Sequence, residues 1–434
     1  MRHFLPLLII SAILMTGIES CCKHSAKLEQ VTIVSRHGVR VPLEKYMEDL
    51  DSIKGPDFSW PIWPVQGSHL SFRGAVLEYM AGEYFGAYFQ ENNFRLTPGQ
   101  VYFSASPKQR TVATAHAFAA GLFPRQHVDV SYLGPRDFEP KYLDPEFLPL
   151  LNMNSVSVPF DTAAFQNEAR REMDELAEAV DIAADLEFLE EKIGFEKSAF
   201  ASRYHKQHFD PSLTGYNVIF TNGKEPLEPE FKSDSDFKRA NRASDALILM
   251  YYEQEDAVLD SSQLRGLTFE DWKRLARIKD AYGIVLFTAP IVAVNVSHAM
   301  LGNVRTVMGR ADKKFNFLCT HDSTMDALLT ALQADRSPLP NTIEERTPIG
   351  FKIVFEKWRD HGEHYIRPYL AYYSVTQIRA SNPADLQGPP VVVNLTFEGL
   401  QPAPNGMYRY KEFMQHLDKT YDAFELTAKG QRPF

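Results

Sequence analysis

The chain has 434 residues, 44% of them hydrophobic and 24% charged, with a formal net charge of -10 at pH 7. This composition belongs to a soluble globular protein with a large core and room for two domains, without internal repeats or low-complexity tracts. The acidity excludes nucleic acid and anionic membrane surfaces as partners of the whole molecule, so an anion site has to be a local basic pocket.

The opening "MRHFLPLLIISAILMTGIESCCK" has a basic start at Arg2, an apolar segment from Phe4 to Met15, and small or polar residues before Cys21. That is the layout of a secretory signal, predicted here for residues 1–22, and it makes the mature protein an exported one. "IESC" loosely matches the bacterial lipoprotein box with Cys21 as the lipidated residue, although Glu19 is an unusual occupant, and a lipid on Cys21 is the one route to an outer-membrane anchor. With Cys21 and Cys22 at this junction, only Cys319 remains in the body, so no internal disulfide is available and the fold must rely on its core.

In "VTIVSRHGVRVP", Val31 to Val34 form a continuous apolar run, the pattern of a strand buried on both faces. Arg36, His37 and Arg40 follow at its carboxyl end, where ligands bind in open α/β sheets. Gly38 permits close backbone approach and Pro42 stops the strand. Guanidinium forks match phosphate oxygens, so the expected guest is a phosphoryl group. Next comes an amphipathic helix with Phe72, Val76, Tyr79, Met80 and Phe85 predicted near one face, then a strand in "QVYFSASP" and a helix that places Arg110 near its start. Helix starts favour anions. The alternation predicts an α/β fold, a three-layer αβα core with a largely parallel sheet. Residues 141–285 read as a mainly helical inserted cap, leaving 23–140 and 286–434 for the α/β domain. Further on, the buried-looking strand Phe315 to Cys319 delivers His321 and Asp322, where the aspartate also suits a helix N-cap. A hairpin is predicted to turn near Asp360 to Glu363.

"RHGVRVP" followed far downstream by a strand ending in "HD" resembles the signature pair of the histidine acid phosphatases, the branch of the histidine phosphatase superfamily that includes phytases. "KQRTVATAHAFAAGLFP", "FTAPIVAVNVS" and "ERTPIGFKIVFEKW" extend the likeness to the bacterial periplasmic glucose-1-phosphatase and phytase group. The resemblance implies an acid phosphatase acting on phosphorylated small molecules, phytate or sugar phosphates. It makes His37 the nucleophile that becomes a phosphohistidine, Arg36, Arg40 and Arg110 the clamp on the phosphoryl oxygens, His321 the second histidine of the pocket, and Asp322 the proton donor. His37 must then attack with an unprotonated nitrogen while its other N–H is held by a backbone carbonyl, and Asp322 needs a raised pKa. Two other classes compete. A phosphomutase of the same superfamily is typically cytosolic, and a phosphate-binding lipoprotein without activity would have lost His37 or Asp322.

Several features depart from the family pattern. Exported relatives often carry disulfides, and where they show Gly before the His-Asp pair and Asn soon after, this chain has Thr320 and Ser323-Thr324. Glu225, Glu228 and Glu230 of the insertion are candidate sugar contacts. His205/His208 and His361/His364 lack a third ligand, so no metal and no other cofactor is expected.

Overall fold

The computed structural model describes residues 26–134, 142–260, 262–380 and 388–434; the segment 1–22 predicted as a secretory signal, with Cys21, lies outside them. The chain begins with β1 (Lys27–Arg36), α1 (Met47–Ile53), α2 (Phe72–Glu91), β2 (Val101–Ala105), α3 (Gln109–Leu122) and β3 (Val130–Ser131). A mainly helical stretch follows, with α4 (Thr162–Ala179), α5 (Ala183–Ile193), α6 (Ala199–Tyr204), the two-stranded β4 (Tyr216–Asn217) and β5 (Glu230–Phe231), α7 (Asp236–Glu253), α8 (Asp256–Asp260) and α9 (Phe269–Phe287). The last third holds α10 (Pro290–Gly309), β6 (Phe315–Thr320), α11 (Asp322–Ala331), β7 (Lys352–Asp360), β8 (Glu363–Tyr372), α12 (Val375–Ala380), β9 (Val391–Asn394), β10 (Tyr408–Arg409), α13 (Tyr410–Asp422) and α14 (Phe424–Thr427).

The main sheet runs β10-β8-β7-β1-β6-β2-β3, with β9 on β8. Its site-bearing half, β1, β6, β2 and β3, is parallel; the β7–β8 hairpin and its neighbours extend it antiparallel. Val31, Ile33 and Val34 are fully buried because helices cover both faces. On one face Phe103, Phe315 and Phe317 meet Phe118 of α3, stacked on Phe317 at 4.4 Å. On the other, Val34 and Leu318 pack with Met325 and Leu328 of α11 and Phe413 of α13, completing the three layers. The hairpin turns where expected, with His361 (φ 49°) and Gly362 (φ 87°) both left-handed, the backbone of a two-residue primed turn.

The face of α2 differs from the sequence expectation. Phe72 and Val76 are 68% and 51% exposed and Tyr79 also faces outward, whereas Leu77, Glu78, Ala81, Phe85 and Phe89 are buried with Met80. Large apolar residues were a misleading guide because α2 approaches its neighbours along small ones. A Cβ on Gly74 would collide with Val39 O, and one on Gly82 with Phe118 O. The backbone contact, and not the size of the side chains, sets the rotation of the helix.

Candidate active site

Strand register assembles the site. Arg36 pairs with Thr320 across β1 and β6, so the next residues, His37 and His321, emerge together at one sheet edge, and Ser106, which follows the Ala105–Cys319 pair on β2 and is level with Thr320, reaches His321 from there. The His37 and His321 ring centroids lie 5.5 Å apart. His37 Nδ1 is 2.9 Å from Gly38 O. A carbonyl only accepts, so Nδ1 carries the proton and Nε2 is the nitrogen left for chemistry. Gly38 is itself pinned, its N–H donating to Thr114 Oγ1 at 3.0 Å. In the same way Arg110 Nη2 can only donate to His321 Nδ1 (3.2 Å), which leaves the His321 proton on Nε2, donated to Ser106 Oγ (3.0 Å). The second histidine thus holds Arg110 in place in the ligand-free arrangement.

The expected arginines converge here, each in a different pairing state. Arg36, 1% exposed, donates to Glu344 at 2.7 Å and meets Asp322 Oδ2 at 3.1 Å. Arg40 meets Asp245 at 2.8 Å. For Arg110, at the second position of α3, no carboxylate partner is found among the described residues, and the Nε of all three guanidiniums is buried without a protein acceptor. Three guanidiniums gathered around His37, each keeping a buried Nε without a protein acceptor, make an oxyanion cradle.

This field sets the protonation states. Burial, then Arg110, Arg40 and Arg36, push His37 well below the usual histidine range, and burial with Arg110 does the same to His321. Asp322 departs from the sequence expectation of a raised pKa. Burial favours its neutral form, but Arg36 and Lys279 outweigh burial and hold the carboxyl well below normal. It is also not the N-cap of α11: His321 is, and Asp322 opens the helix with Oδ1 accepting from Ser323 N at 3.0 Å.

Lys279 of α9 was missed by sequence reasoning, as were Glu344, Asp245, Ser106 and Thr114. Lys279 Nζ lies 3.0 Å from Asp322 Oδ2 and 2.7 Å from Glu344 Oε1, closing a ring of alternating charge, Arg36–Asp322–Lys279–Glu344. A signal was present: Lys279 falls at the i+4 and i+7 spacing from buried Leu275 and Trp272, on the apolar stripe of its helix. Outside the cradle lies a pocket of about 180 Å³ lined by Arg40, Glu228, Arg242, Asp245, Lys279 and Asp322 among others. Of the three glutamates flagged in the insertion only Glu228 reaches it. Burial raises Glu228 to about 7 against the pull of Lys45 and Lys108. Glu225 is exposed, and Glu230 pairs with Lys238 at 2.7 Å. Ser323 lines the pocket, while Thr324 is tied to Phe147 O at 3.0 Å. Among the described residues no group of three or more His, Cys, Asp or Glu side chains is placed to hold a metal ion.

Residues 27–371 match the family model of the histidine phosphatase superfamily (branch 2). The chain belongs to that family. This phosphatase is 29% identical over 411 residues to the glucose-1-phosphatase of Providencia rettgeri (91% of this chain, 92% of the relative). It is 27% identical over 403 residues to the phytase AppA of Escherichia coli strain K12 (86% and 87%). Among solved structures, the Citrobacter braakii phytase superposes with a TM-score of 0.75 at 23% identity, over 91% of this chain and 98% of that one, which shows the shared fold. Phosphate monoester hydrolysis of a phosphorylated small molecule is the activity of this enzyme family.

Arg110, without a carboxylate partner among the described residues, makes a direct prediction. Inorganic phosphate titrated calorimetrically into this phosphatase at pH 5 should bind roughly 10- to 100-fold more weakly to Arg110→Ala, the loss of charge-assisted hydrogen bonds. Equal affinities would remove Arg110 from the cradle.

Proposed function

We propose that the chain is an exported acid phosphatase that transfers the phosphoryl group of a phosphate monoester first to His37 and then to water. The observation that carries this reading is the His37 Nδ1 contact with Gly38 O, which leaves Nε2 unprotonated beside three convergent guanidiniums. Arg36, Arg40 and Arg110 would hold the phosphoryl oxygens while the Nε2 lone pair forms the N–P bond in line with the departing ester oxygen. That oxygen takes the proton of Asp322 as the P–O bond breaks. Water then attacks phosphorus, gives its proton to the Asp322 carboxylate, and the N–P bond breaks to release inorganic phosphate.

Asp322 therefore has to be recharged with a proton. A phosphoryl dianion arriving at Arg36 draws that guanidinium away from Asp322 and adds negative charge, and both effects raise the Asp322 pKa. Mildly acidic solution supplies the proton, so the rate should fall as pH rises through the pKa of Asp322 in the complex.

For the leaving group we favour a polyol carrying a single phosphate, a sugar phosphate, over inositol hexakisphosphate. Residues 141–285, read as the specificity cap, supply Glu228, Asp245 and Lys279 to the outer pocket. Of its cations, Arg40 is paired with Asp245, Arg242 with Asp49, and Lys279 with Asp322. Further phosphates would meet Glu228, Asp245 and Asp322, whereas hydroxyls can donate to those carboxylates. The relatives named glucose-1-phosphatase support this choice. Export rests on the signal-like segment 1–22; the intact mass of protein recovered from the periplasm should lack it, and a full-length mass would overturn that part.

Asp322→Asn separates proton donation from anion binding. A sugar alkoxide needs a proton to leave and p-nitrophenolate largely does not, so kcat should drop about 100-fold or more on glucose 1-phosphate and far less on p-nitrophenyl phosphate. Equal losses would mean that Asp322 only shapes the pocket. A second variant, Lys279→Met, removes one of the cations that keep Asp322 ionised. With its pKa raised, Asp322 stays protonated to higher pH, and the alkaline limb of the kcat profile on glucose 1-phosphate should move upward. A limb that stays put or moves down contradicts the donor assignment.

A further inference from the structure

Lys352 opens central strand β7 and Glu78 lies on the buried side of α2, and both break the apolar pattern of their elements. They are 3% and 1% exposed and meet each other, with Lys352 Nζ 2.9 Å from Glu78 Oε2. Such a pair gains little net stability, since replacing a buried ion pair by apolar groups of similar volume is often neutral or stabilising. Its position is more informative. Lys352 Nζ also donates to Gly350 O at 2.8 Å, Gly350 N donates to His37 O at 3.1 Å, and Arg36 N donates to Phe351 O at 2.8 Å. Gly350 has φ +68°, and a Cβ there would stand 3.0 Å from Glu78 Oε1. A Cβ on Gly38 would stand 3.0 Å from Glu78 Cγ. The glutamate side chain therefore forms the wall against which the two glycines flanking the nucleophile's peptide are seated.

We propose that the buried Glu78–Lys352 pair positions the nucleophile, holding the 37–38 and 350–351 backbones so that Gly38 O keeps the His37 ring aimed. The pair lies behind the loop, on the α2 and α3 side of the sheet, and touches neither the arginine cradle nor Asp322. Thr114 fixes the Gly38 N–H from the same side, Glu78 walls the Cβ side of Gly38, and Lys352 holds Gly350, whose N–H donates to the His37 carbonyl. Without the Lys352 hydrogen bond to Gly350 O and the glutamate wall beside it, the 350–351 backbone no longer holds the His37 carbonyl, Gly38 O can swing and the imidazole loses the partner that sets its tautomer.

The inference rests on the phosphohistidine reading, and the two fail differently. The experiment uses full-length protein and the double variant Glu78→Met/Lys352→Met, which replaces both charges by apolar groups of similar length. The variant should melt at or above the wild-type temperature. Its kcat on p-nitrophenyl phosphate, and the quench-flow rate of phosphoenzyme formation, should fall at least about tenfold. The inhibition constant for inorganic phosphate should change by less than about threefold, because the arginines are untouched. A folded double variant with full kcat, or one whose whole loss lies in phosphate affinity, overturns the inference. If the double variant does not fold, Glu78→Asp keeps the charge and withdraws the wall by one methylene; it should also lose kcat, and full activity there overturns the inference equally. Wild-type enzyme that hydrolyses the ester without any phosphohistidine would instead refute the reading beneath it.

Discussion

Arg36 is charged and 1% exposed at the end of the central strand, a state tolerated only where acceptors surround the guanidinium. Its partners come from elements far apart in the chain: Glu344 from the loop before β7, Asp322 from the start of α11, and through both of them Lys279 from α9. Each cation in this ring touches two carboxylates and each carboxylate two cations. The helical middle of the chain is thereby joined to the sheet at the point where substrate would enter. Removing one member leaves a buried charge uncompensated, which costs far more than the ring contributes as a whole.

The same field imposes opposite demands on the two groups that would do the chemistry. Burial and the arginines push His37 well below the usual histidine range, which favours the neutral ring a nucleophile needs; Arg36 and Lys279 hold Asp322 well below the usual carboxylate range, which a proton donor cannot afford. A phosphoryl dianion resolves the conflict. In the proposed reaction it would occupy the guanidiniums, so the cationic field at Asp322 would be cancelled when a proton is needed there, while His37 would face phosphorus and not the solvent. The resting pKa of Asp322 is thus a property of the free site and says little about the loaded one.

Much of this was legible in the sequence because the family of strands and turns carrying it is local. A four-residue apolar run ending in Arg36-His37, a strand ending in His321-Asp322 and a helix beginning near Arg110 each announce themselves within a dozen residues. What was hidden is the chemistry that depends on tertiary approach. Glu344 sits in an irregular loop with no period to read, and Asp245 lies inside a helix whose neighbours Ser244 and Ala246 are buried for other reasons. Lys279 and Lys352 did leave a trace, as charges on stripes that should be apolar, but only the structure shows which carboxylate each one meets. The misassigned face of α2 has the opposite origin: glycines, carrying no side chain to count, decided it.

Precision in the site comes from parallel pairing. His37 and His321 are equivalent positions, each the first residue beyond the pair Arg36 and Thr320 on adjacent strands. Parallel strands lie about 4.8 Å apart, and the two rings sit at 5.5 Å, close to the spacing their backbones impose. Ser106 stands one step back on β2, beyond the pair Ala105 and Cys319 and so level with Thr320, and accepts the His321 proton from there. Three neighbouring strand ends thus act as a ruler, and a one-residue slip of any of them would send its side chain to the opposite face. The loops need only supply what the ruler cannot. Gly38 O orients one ring, Arg110 and Ser106 orient the other, and no disulfide is required, because the register is secured by a core in which Val31, Ile33, Phe315 and Phe317 are fully buried.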